Sequence, residues 1–69
     1  MSTPIPVGMA RITEIQPAEG QEPHGLRPFR IVFETAGGVS EVVLSPSRLN
    51  QLGLFNALWN GTLVPIPAP

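Results

Sequence analysis

Two β-rich runs, residues 29–35 (FRIVFET) and 39–44 (VSEVVL), flank Gly37-Gly38, and Ser45-Pro46 follows the second run with no linker. A Gly-Gly pair between runs of β-formers signals a hairpin, because glycine takes the positive φ of tight mirror-image turns without steric cost. Serine followed by proline signals a helix start. The hydroxyl accepts one of the orphan amides of the first turn, and proline at the first helical position has no N–H to leave unpaired. A chain punctuated in this way must fold a hairpin almost directly onto a helix beginning at Pro46.

A two-residue Gly37-Gly38 loop pairs Ala36 with Val39, Phe33 with Val42 and Ile31 with Leu44. That register gathers Phe29, Ile31, Phe33, Val42 and Leu44 on one apolar face, at the expense of Glu34 opposite Glu41, a like-charge pair that Arg30 relieves diagonally. A three-residue loop would set Phe33 against Glu41 and mix the two faces. Downstream, Leu49, Leu52, Phe55, Leu58 and Trp59 recur at helical spacing, which predicts that Leu49, Leu52, Phe55 and Trp59 cover the hairpin. Leu54 widens the apolar arc beyond half the circumference. Either the helix kinks at Gly53, therefore, or part of its surface faces another chain. Asn60-Gly61 ends the helix, and Thr62-Leu63-Val64 returns as a short edge strand before Pro65.

Upstream, Met9–Ile15 is a strand candidate in which Ile12 and Ile15 cannot share a face of a regular strand, so a bulge or an early end is expected near Glu14. Residues 16–28 have the composition of a loop, with three prolines and two glycines. The expected fold is α+β: a small antiparallel sheet of two to four strands, built on the Phe29–Leu44 hairpin and packed against one C-terminal helix. Residues 1–8 are expected to form an extended arm, 9–64 a single domain and 65–69 a Pro-rich tail.

Length and charge narrow the function. The chain has 69 residues and no cysteine; a domain of this size buries only about 60% of its unfolded surface, leaving a thin core that no disulfide staples. Thiol catalysis and thiolate metal sites are excluded with the cysteines. The basic residues are Arg11, Arg27, Arg30 and Arg48, against five glutamates, for a net charge of -1. No global field attracts phosphates. The first ten residues lack the basic and uninterrupted apolar regions of a signal peptide, and no apolar run approaches the roughly 20 residues of a membrane span. A cytoplasmic protein is the expectation, and Asn60-Gly61-Thr62 then reads as a helix end, although it matches a glycosylation acceptor.

Catalytic chemistry finds little to draw on. His24, the sole histidine, lies among turn residues, where solvent exposure is the ordinary state. Glu19, Glu22 and His24 lack a recognised metal-ligand spacing. Ser45 is accounted for as a helix cap, Gly37-Gly38 matches neither a P-loop nor a dinucleotide fingerprint, and Glu34 with Glu41 would sit on a solvent face with no pocket to raise a pKa. No enzyme and no cofactor is expected.

Binding is the better expectation. Leu54, Leu58 and Trp59 are the candidate contact residues for a protein partner or a second copy, in a homodimer or an adaptor- or inhibitor-like module. The alternative is a nucleic-acid accessory protein using Arg11, Arg27 and Arg30 on phosphates if the first strand gathers them at one edge. The succession of hairpin, Ser-Pro helix start and Phe55, Leu58, Gly61 spacing resembles in outline small accessory modules of phages and other mobile elements.

Overall fold

A computed structural model of the chain describes residues 4–18 and 27–68. Strands β1 (Met9–Pro17), β2 (Phe29–Thr35) and β3 (Gly38–Leu44) are followed by helices α1 (Pro46–Leu52) and α2 (Leu54–Asn60) and by strand β4 (Leu63–Pro65). The strands form one antiparallel sheet in the order β3-β2-β1-β4. This is the expected α+β class at the upper end of the expected strand number. The single helix is corrected to two short ones.

The hairpin forms, with its corner one residue earlier than the glycine pair suggested. Thr35 pairs with Gly38, Phe33 with Ser40, Ile31 with Val42 and Phe29 with Leu44, so the two-residue loop is Ala36-Gly37. Neither loop residue takes positive φ; Gly38 does, at 125°. The Thr35 hydroxyl accepts from the Gly37 N–H at 3.2 Å and donates to the Gly38 carbonyl at 3.1 Å. Threonine thus stabilises this corner locally, so it is not the mirror-image turn expected from Gly-Gly. The register differs from expectation by two residues, and because strand side chains alternate with period two, the apolar face is unchanged. The charge pairing does change: Glu34 faces Val39 and Glu41 faces Val32. The expected like-charge pair is absent, and Arg30 Nε lies 4.0 Å from Glu41 Oε2 in a solvent-exposed ion pair.

The irregularity expected in the first strand is a bulge between Ile12 and Glu14. Ile12 pairs with Phe33 and Ile15 with Ile31, so the extra residue, Thr13, lets both isoleucines face the core. Its hydroxyl donates to the Val32 carbonyl at 3.0 Å. The strand expected at 62–64 is β4, which pairs with β1 from Met9 to Arg11.

The Pro-rich tail packs onto the domain, whereas the described N-terminal residues are mostly exposed. Met9 N–H donates to the Pro6 carbonyl at 3.1 Å, with Gly8 at φ 87°, a tight turn that leads into β1. Pro65 pairs with Met9, Ile66 N–H donates to the Gly8 carbonyl, and Pro67 is buried. Arg48 Nε donates to the Ala68 carbonyl at 3.2 Å, tying the tail to α1.

The buried core consists of Ala10, Ile12, Ile31, Phe33, Leu44, Leu49, Leu54 and Ala57, and contains no polar side chain among the described residues. Ser45 caps α1 as expected, its hydroxyl accepting from Arg48 N–H at 3.2 Å. Gly53, at φ 64°, closes α1 and opens α2.

Three substitutions test this architecture by urea denaturation. Phe33→Ala should cost about 3–5 kcal/mol, the usual loss for a buried phenyl group. Gly53→Ala should cost about 1–2 kcal/mol from backbone conformation alone, since a Cβ there meets nothing within 4 Å. Glu41→Thr relieves no repulsion and removes an exposed pair, so stability should change by no more than about 0.5 kcal/mol.

Candidate functional site

Successive residues of an α-helix advance by about 100°. In an unbroken helix from Pro46 to Asn60, Leu49, Leu52, Phe55 and Trp59 would share one side, with Leu54, Ala57 and Leu58 roughly opposite. The left-handed Gly53 ends that geometry. Leu49 remains buried on α1, but α2 turns its other side inward and buries Leu54 and Ala57. Phe55 is consequently 49% exposed and Trp59 90% exposed, which corrects their expected place in the core.

Of the candidate contact residues, only Trp59 therefore stands fully at the surface. Leu54, at 1% exposure, belongs to the core, and Leu58 is half-buried against it. Phe55 joins Trp59 instead, because residues four apart lie on the same side of a helix. The Phe55 ring is held edge-on to Phe29, with centroids 6.0 Å apart and planes at 82°. One aromatic is thus positioned by the sheet while its neighbour projects into solvent. The signal for this surface was Gly53, the residue at which a kink was one of two alternatives.

The sheet face away from the helices carries two of the three arginines expected to gather at one edge. Arg11 pairs with Glu34 and Arg30 with Gln16, so both point to that face but lie four strand positions apart, about 13 Å. Glu14, Glu34 and Glu41 alternate with them on the same face, leaving an acidic excess. Arg27 is exposed just ahead of β2. No continuous basic track joins the three arginines among the described residues.

Catalytic constellations are no more evident. Ser45 is engaged as a cap, and no group of three or more His, Cys, Asp or Glu residues suited to a metal occurs among the described residues. The Glu19, Glu22 and His24 combination lies outside those residues. Arg48 donates to the Ala68 carbonyl of the tail and to Gln51 Oε1 at 3.4 Å, a structural role. Among the described residues no helix is long and apolar enough to cross a membrane. No protein-family model, curated protein or solved structure matches this chain.

Proposed function

We propose that this is a non-catalytic protein-interaction module whose contact surface centres on Trp59 and Phe55 of α2. The observation that carries the reading is the 90% exposure of the only tryptophan in a domain small enough to need every large apolar side chain in its core. Tryptophan is among the residue types most enriched in binding hot spots, where it supplies a large apolar area with few rotatable bonds. Phe55, braced by Phe29, adds apolar surface that loses little conformational freedom on binding. The simplest partner is a second copy meeting the same surface about a two-fold axis, and the alternative is an apolar surface on another protein. The nucleic-acid reading on Arg11, Arg27 and Arg30 gains no support, because glutamates accompany Arg11 and Arg30 on their face.

Trp59→Ala separates binding from folding. At a dilution where both forms are monomeric, its unfolding free energy should stay within about 0.5 kcal/mol of the native chain, as for surface substitutions generally, whereas Leu54→Ala should lose about 2–5 kcal/mol. Sedimentation equilibrium at micromolar concentration should show a native dimer that Trp59→Ala dissociates. The reading fails if both forms are monomeric and no protein in an extract of the native host distinguishes them when immobilised.

A further inference from the structure

Among the described residues the sheet has three stretches of unpaired edge, and they are not equally protected. β4 is three residues long and contains Pro65. β1 pairs with β4 only from Met9 to Arg11; its remaining edge carries the bulge at Thr13 and ends at Pro17. Short length, proline and bulges are the usual devices that stop an edge from accepting another strand. β3 has none of them. It runs seven residues, Gly38–Leu44, without proline, lysine or arginine, and pairs with β2 without a bulge.

Which backbone groups β3 offers follows from the corner. Thr35 and Gly38 close the two-residue loop as a hydrogen-bonded pair, so alternation makes Ser40, Val42 and Leu44 the residues bonded to β2. Val39, Glu41 and Val43 therefore aim their N–H and C=O groups away from the sheet. Their side chains share the face away from the helices, with Val39 70% and Val43 50% exposed. Val43 also borders hollows on both faces, one of about 570 Å³ beside Arg30 and Glu41 and one of about 420 Å³ beside Ser47, Arg48 and Gln51.

We infer that β3 is a docking edge for an extended segment of another protein, one that alternates apolar, basic and apolar residues on the face shared by Val39, Glu41 and Val43. Charge selects this occupant. Antiparallel pairing of β3 with its own copy over the full strand would set Glu41 against Glu41 of the second chain, a repulsive cross-strand pair that the long, exposed contact with Arg30 offsets only in part. An arginine or lysine in that position meets the carboxylate instead, and β-branched residues on either side meet the two valines. The added strand gains main-chain hydrogen bonds from the edge and specificity from alternate side chains. This surface is separate from the α2 aromatics.

The test is a titration of the full-length ¹⁵N-labelled chain with the synthetic peptide Thr-Val-Thr-Arg-Thr-Val-Thr, capped at both ends. Saturable amide shifts centred on Val39, Glu41 and Val43 are expected, with binding about tenfold weaker when the peptide arginine is replaced by glutamate. Val43→Pro should abolish the interaction while preserving the dispersed spectrum, because the amide it removes points away from β2. Should that variant fail to fold, Glu41→Lys decides the matter by reversing the preference between the two peptides. No shifts at millimolar peptide, shifts centred on α2, equal affinity for both peptides or unimpaired binding by folded Val43→Pro would each overturn the inference.

Discussion

The left-handed turn at Gly53 is the constraint on which the arrangement of this molecule depends. Leu49 and Leu54 are both buried, yet five residues along a continuous helix would place them about 140° apart. Leu52 and Leu58 also pack against the core, and on one straight helix the arc from Leu52 through Leu49 and Leu54 to Leu58 would span about 240°, more than half the circumference. Breaking it into two seven-residue pieces lets each direct its own apolar side inward. Isolated helices this short are unstable in water, so α1 and α2 owe their existence to this packing and their caps. Ser45 satisfies an amide at the first end, and Gly61, also left-handed, returns its N–H to the Ala57 carbonyl at the last.

The same break determines what remains outside. Turning Leu54 and Ala57 inward turns Phe55 and Trp59 outward, so the proposed contact surface follows from the way the core is built. Among the described residues, the largest fully buried side chains are Ile31, Leu44, Leu49 and Leu54, aliphatic and of similar size. The opposite face of the sheet is differently composed, with arginines, glutamates and exposed valines interleaved. Such a surface suits pairing along an edge better than apolar docking across it.

The sequence made the strands, the faces and the helix start legible because each rests on local chemistry. Alternation in 29–35 and 39–44 selects the face, Ser45-Pro46 starts the helix, and the mismatch of Ile12 with Ile15 reveals the bulge. Register was less legible. Thr35 and Ala36-Gly37 compete with Gly37-Gly38 for the corner, and the Thr35 hydroxyl decides it through hydrogen bonds that glycine counting does not anticipate. The contact site was legible only in part. Trp59 stood out by residue type, but Leu54 and Phe55 exchange places between core and surface according to whether Gly53 kinks the helix or breaks it. The docking of the tail on Arg48 joins residues 20 apart, a tertiary contact without local signature.

Tryptophan fluorescence tests the central claim, that the break at Gly53 leaves Trp59 in water while Leu54 fills the core, most directly, since Trp59 is the only indole in the chain. In a dilute monomeric solution the folded chain should emit at the wavelength of free N-acetyltryptophanamide and be quenched by acrylamide nearly as readily. Emission should move to the blue, with loss of quenching, only when the protein associates. A dilute folded monomer whose emission is already blue-shifted and shielded from acrylamide, and which turns red only on unfolding, would place Trp59 in the core and contradict the account.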